Sequence, residues 1–171
     1  AEKALAHKKG RESWLALAQV YEKVKRFPEM ARALDEAEKL SYAKSDQVMV
    51  WFLRGVMYER SKRYEQADQA FQQVLQLEPD NASAMNYLGY MLADRNVQLE
   101  RALRLVQRAV ELDPENGAYL DSLGWVYFRL GQFDKAREYL ERAVQKVPSD
   151  PIVHDHLGDV YHQLGDLKKA I

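Results

Sequence analysis

Residues 120–148 read LDSLGWVYFRLGQFDKAREYLERAVQKVP. Leu120, Leu123, Tyr127 and Leu130 fall on one face of a helix, and Phe133, Ala136, Leu140, Ala143 and Val144 form a second helical stripe. Gly131 separates the two stripes, where a turn needs dihedrals that a Cβ would penalise. Pro148 ends the second stripe, because proline disfavours helix in the residue before it. The stretch therefore predicts two antiparallel helices joined by a tight turn. Gly124 and Ala136 are expected where the two helices cross closely, with Leu123, Tyr127 and Leu140 filling the space between neighbouring hairpins.

The same punctuation recurs along the chain. Gly55, Gly89, Gly124 and Gly158 are separated by 34, 35 and 34 residues, and Pro79, Pro114 and Pro148 by 35 and 34. Ala67, Ala102, Ala136 and Ala170 keep the same register, as do Tyr58, Tyr127 and Tyr161 with Leu92 in the missing slot. Asn81, Asn116 and Asp150 sit where an N-cap oxygen is wanted for the next helix, and Pro151 follows at the favoured first helical position. A period of this length marks a stacked repeat, in which one hairpin cannot bury its own apolar face and neighbours complete each core. The expectation is about ten helices and no sheet, with turns near Lys25, Ser61, Asn96, Gly131 and Gly165.

The boundaries follow from the register. Residues 1–10 read as the tail of a preceding helix and 11–47 as a degenerate first repeat, where Met30 replaces a small residue and no proline closes the unit. Residues 48–81 form the second repeat, 82–116 the third with one inserted residue near Asn96 to Leu99, and 117–150 the fourth. Residues 151–171 begin a fifth, so that 1–171 reads as a single solenoid segment. The chain starts without Met or a signal-peptide apolar region, as an excised segment or a mature product would.

Composition excludes several function classes. With 25 basic and 26 acidic residues the formal net charge is −1, so no bulk charge draws the chain to nucleic acid or anionic lipid. There is no cysteine, which excludes disulfides, thiolate-bound zinc and a thiol nucleophile. No apolar run approaches the roughly 20 residues that span a bilayer. The serines lack a nucleophile-elbow context, and the glycines come one per turn, not as a phosphate-cradling loop. In HDHLGDVYHQ (154–163) the side chains of Asp155, Asp159 and His162 share a helix face, which reads as the solvated wall of a groove, not as a metal site. His154 stands in the slot that Trp51 and Leu120 fill elsewhere and is expected to pack. No catalytic, cofactor-binding or metal-binding residue is assigned, and an enzyme is not expected.

The hairpin pattern, with W/L-x2-L-G-x2-Y, then A-x3-F, then Pro, resembles the tetratricopeptide repeat across essentially the whole chain; WFLRGVMYERSKRYEQADQAFQQVLQLEPD (51–80) is a close match. The resemblance implies an all-α, right-handed superhelical solenoid of antiparallel helix hairpins. It also implies a non-catalytic protein–protein interaction scaffold that holds a peptide or protein segment on a concave face lined by the first helix of each hairpin. Carried onto this chain, the groove positions are Phe52, Val56, Asn86, Tyr90, Asp121, Trp125, Phe128, Asp155 and Asp159. The aromatics there point to a ligand with apolar anchors, and the aspartates to one with basic residues. The basic clamp that a subgroup of the family uses for chaperone carboxylates is missing, since the corresponding slots hold Phe52, Val56, Tyr87, Ala118 and Ser122. The acidic end of the groove argues against nucleic acid. Two other readings stand beside the scaffold: a self-assembly module that forms homo-oligomers through exposed repeat ends, and a regulatory array attached to a catalytic domain elsewhere. NYLGYMLADR (86–95), YLDSLGWVYFRLG (119–131) and HDHLGDVY (154–161) look similar to bacterial members, some of them envelope lipoproteins acting as adaptors, which favours the envelope over the cytoplasm.

Overall fold

The expected caps start three of the helices. Asn81 Oδ1 accepts from the Ala84 amide at 2.9 Å, Asn116 Oδ1 from Ala118 and Tyr119 at 3.2 and 3.4 Å, and Asp150 Oδ1 from Ile152 at 2.9 Å. Each such cap is worth about 1 kcal/mol. The computed structural model describes residues 10–166 and Lys168. Among them are nine α-helices and no strand: α1 (Arg11–Lys23), α2 (Phe27–Glu38), α3 (Lys44–Arg60), α4 (Tyr64–Leu77), α5 (Ala82–Asp94), α6 (Leu99–Leu112), α7 (Gly117–Arg129), α8 (Phe133–Lys146) and α9 (Pro151–Gln163). The helix tail read at residues 1–9, the Ala170 register position and the second helix of the fifth repeat lie outside the described residues.

The chain divides into two compact units, Ala1–Pro79 and Asp80–Ile171. In the first, α1 packs on α2 and α3 on α4, with α2 against α3. Its core gathers Ala18, Met30, Ala33, Leu34, Leu53 and Met57, so the unusual Met30 of the degenerate repeat fills core space and is fully buried. Arg54 of α3 reaches Asp35 at 2.8 Å and Glu38 at 2.7 Å on α2, tying the two hairpins together. In the second unit α5 pairs with α6 and α7 with α8, and α9 packs on α8 and α7.

Glycine sets the crossing inside the α3–α4, α5–α6 and α7–α8 hairpins. A Cβ on Gly124 would lie 2.5 Å from Leu140 Cγ and 3.2 Å from the Ala136 carbonyl oxygen. Gly89 meets Val106 Cγ2 at 2.4 Å, and Gly55 meets the Phe71 ring at 2.6 Å. Leu140 is therefore the knob that enters the hole left by Gly124 within its own hairpin, not a spacer between hairpins as its stripe suggested. Between hairpins, Tyr127 of α7 accepts a hydrogen bond from Gln107 Nε2 of α6 at 3.1 Å.

The turns after α1, α3, α5, α7 and α9 share one device, a residue in the left-handed region. Gly131 (φ 73°) and Gly165 (φ 79°) supply it without a Cβ; Lys25 (φ 56°), Lys62 (φ 60°) and Asn96 (φ 56°) adopt it at a steric cost of ~1–2 kcal/mol each. The turn between α5 and α6 needs a second such residue, Gln98 (φ 49°). There the inserted residue of the third repeat is absorbed, so that Val106 still faces Gly89 as Leu140 faces Gly124.

Tyr161 of α9 donates to Glu141 Oε1 of α8 at 2.8 Å. Burial and that carboxylate push its phenol up to about 12. The neutral phenol is the form favoured by folding, so this contribution is complete below about pH 10, the unfolded value, and is lost as pH rises through about 12. In an absorbance titration Tyr161 should therefore ionise late, and Tyr161→Phe should remove one tyrosine from the late-ionising steps. Packing gives a second expectation. By urea denaturation Gly124→Ala should cost ~1–3 kcal/mol and Leu140→Ala ~2–5 kcal/mol, while the double variant should lose less than their sum, because the shortened knob leaves room for the new methyl. Additive losses would mean that the two residues do not meet.

Candidate peptide-binding face

The groove positions fall into two environments. In the first unit, Phe52 of α3 is partly buried and sets its ring edge on Phe71, centroids 5.8 Å apart at 73°, and Val56 is buried. In the second unit the first helix of the fourth repeat is enclosed: every residue of α7 from Leu120 to Tyr127 is buried, including Asp121, Ser122 and Trp125. A helix covered all round is packed between neighbours, and α7 is flanked by α5 and α9.

The covering on the α9 side is His156. Its ring lies on the Trp125 indole with centroids 4.1 Å apart and 16° between planes. On the Trp125 ring system Phe128 also stacks, at 4.9 Å and 11°, and Phe133 of α8 follows Phe128 at 5.6 Å. Tyr90 of α5 approaches the His156 ring at 6.2 Å. The Arg129 guanidinium stands 5.6 Å from the indole centroid, a further electrostatic contact with the π face. Together these rings form one aromatic ladder running Tyr90–His156–Trp125–Phe128–Phe133, contributed by four helices. Offset stacks of this kind stabilise by about 0.5–1.5 kcal/mol per pair beyond their buried area.

A buried hydrogen bond fixes the ladder at His156. His156 Nδ1 donates to Asp121 Oδ1 at 2.9 Å, and both side chains are about nine-tenths buried. Asp121, read from sequence as a groove charge, thus serves as the internal partner of His156. Two other buried polar atoms on this face have no partner, the Trp125 Nε1 donor and the Asn86 Oδ1 acceptor. A buried group left unpaired costs about 1–3 kcal/mol. Ser83 Oγ and the Tyr119 hydroxyl, 3.0 Å apart, close the start of the face between α5 and α7.

The remaining positions are open. Asp155 and Asp159 are exposed on α9, with Ile152 54 % exposed one turn before Asp155. His154, expected to pack, is exposed, its Nε2 lying 2.9 Å from the Pro148 carbonyl oxygen, because the Pro148–Asp150 turn brings that oxygen within its reach. Among the described residues no group of three or more His, Asp or Glu is placed to hold a metal ion. The residue that sequence reasoning passed over is His156. The signal was present: it stands one repeat after Ser122 and two after Tyr87, so a ring there can reach back onto the indole of the preceding repeat.

Asp121 and Asp155 occupy the same slot of successive repeats, one buried and one exposed, and this generates a direct comparison. Asp121→Ala should lower the urea-unfolding free energy by about 1–3 kcal/mol, since it strands the His156 N–H. Asp155→Ala should stay within about 0.5 kcal/mol of the parent. Equal losses would refute the buried pair.

Comparison with known proteins agrees with this architecture. The tetratricopeptide repeat family matches residues 1–171. Among solved structures, the chain is similar to PilW, described as a widely conserved type IV pilus biogenesis factor, with a TM-score of 0.83, 24% identity, and coverage of 94% of this chain and 72% of that one. It is also similar to PilF of Pseudomonas aeruginosa (TM-score 0.77, 19% identity, 94% and 71% covered). A third likeness is to MamA of Desulfovibrio magneticus RS-1 (TM-score 0.73, 23% identity, 94% and 88% covered). No curated protein sequence matches it. At these identities the structural likenesses carry the fold alone, whereas the family match spans every residue: the chain belongs to the tetratricopeptide repeat family.

Proposed function

We propose that the chain is a non-catalytic protein-interaction module that holds a peptide or protein segment on the first-helix face of its second unit. The observation that carries this reading is the pair of unpartnered buried polar atoms, Trp125 Nε1 and Asn86 Oδ1, on a face otherwise packed with aromatic rings. Both atoms are buried, so an incoming polypeptide satisfies them only where it displaces a covering side chain such as His156, and aromatic anchors dominate the energetics of many interfaces. The type IV pilus biogenesis role of PilW makes pilus assembly factors a sensible class of partner to screen. Exposed Asp155 and Asp159 favour basic residues in the ligand, acting mostly on association rate and its salt dependence.

The ladder changes how the reading is tested. Trp125 is only 8 % exposed, so Trp125→Ala removes a packed side chain and reports stability before it reports binding. Cleaner variants are Phe128→Ala, on a partly buried rung, and the exposed pair Asp155→Asn with Asp159→Asn. Against a partner recovered by pull-down and then purified, calorimetric titration should show Phe128→Ala weakening binding by ~1–2 kcal/mol. The aspartate pair should slow association several-fold at low salt with little change in thermal melting. Parent-like binding by both variants would place the partner on another surface.

A further inference from the structure

A second surface is written into the first unit. Tyr21-Glu22-Lys23-Val24-Lys25-Arg26-Phe27 and Tyr58-Glu59-Arg60-Ser61-Lys62-Arg63-Tyr64 follow one pattern, aromatic-Glu-basic-x-Lys-Arg-aromatic, at the turns α1–α2 and α3–α4. The corresponding turns of the second unit, such as Tyr127-Phe128-Arg129-Leu130-Gly131-Gln132-Phe133, lack it. The structure brings the two patterned turns together. Arg60 Nε pairs with Glu22 Oε1 at 3.0 Å, and a cavity of about 260 Å³ lies between the turns, lined by Phe27, Pro28, Ala31, Met57, Ser61 and Arg63.

All six cations of the two turns are exposed. Arg26 stacks on Tyr21 (5.3 Å) and Arg63 on Tyr58 (4.7 Å), which holds both guanidinium groups at the same place in each turn. Arg26 is compensated by Glu29 and Arg60 by Glu22. The side chains of Lys23, Lys25 and Lys62 have no acidic partner among the described residues, and Arg63 bonds the neutral Gln66. Lys25 and Lys62 moreover occupy the left-handed turn position that Gly131 and Gly165 fill in the second unit. Glycine would be the less strained choice at both, so an exposed lysine there carries a local steric cost.

From the uncompensated charge and the apolar cavity between its two rows, we propose that this turn edge docks an acidic protein segment. Its carboxylates face Lys23, Lys25, Lys62 and Arg63, and an apolar side chain enters the cavity beside Phe27 and Met57. The surface shares no residue with the aromatic ladder, and it discriminates by charge complementarity.

The test uses the full chain and a labelled peptide of repeated Glu-Glu-Leu triplets, with a Gln-Gln-Leu peptide as the uncharged counterpart, followed by fluorescence anisotropy. The acidic peptide should bind, with affinity falling as salt rises, and the neutral one should not. The double variant Lys25→Gly with Lys62→Gly should bind about tenfold more weakly while melting at a higher temperature than the parent, since it removes both charges and both strained side chains. Arg104→Gln, an exposed cation of the second unit, should bind as the parent does. Parent-like affinity of the glycine variant, equal weakening by Arg104→Gln, or equal binding of the neutral peptide would each overturn the proposal. Preference for phosphatidylserine vesicles over the acidic peptide would also overturn it, in favour of a lipid surface.

Discussion

The close crossing at Gly55, Gly89 and Gly124 is the constraint on which the architecture rests. At each, the missing Cβ leaves a hole that a facing side chain fills: the Phe71 ring, Val106 or Leu140. Knob and hole fix both how near the two helices run and their relative register. Once the register is fixed, the capping oxygens, the turn residue and the stripe that meets the next hairpin fall into place. The knobs differ in size and shape, which shows that volume at the crossing is matched hairpin by hairpin, not set by one residue type.

The third repeat shows what happens when the spacing is disturbed. One additional residue would rotate the whole second helix by about 100° if it entered the helix itself. It goes into the turn, where Gln98 joins Asn96 in the left-handed region. The strain is confined to an exposed connection and the knob returns to its hole. Conformational cost is concentrated at the edges, where Lys25 and Lys62 also adopt the left-handed conformation.

The hairpins were legible in the sequence because their determinants are local: a period, a glycine, a cap and a stripe within one unit. Asn81, Asn116 and Asp150 cap as their positions required. The groove was less legible because its state depends on side chains one or two repeats away. Asp121 and Trp125 occupy slots that family resemblance marks as open, yet both are covered by a histidine 35 and 31 positions along. No periodicity announces such a contact, since it depends on how closely α9 approaches α7. Leu140 is a smaller case of the same kind: its stripe was visible, but not which of two neighbours it serves.

Enclosure of α7 also has a dynamic side. Amides from Leu120 to Tyr127 lie beneath covered side chains on every face, whereas α9, which supplies His156, has Ile152, Asp155 and Asp159 in solvent. Hydrogen exchange in such an array follows the free energy of the smallest opening that uncovers each amide. Detachment of α9 is one such opening, and it also lifts the imidazole off the indole. Amide protection in α7 and access to the Trp125 ring are thus coupled through one helix, so a ligand that replaces His156 would trade part of that protection for its own contacts.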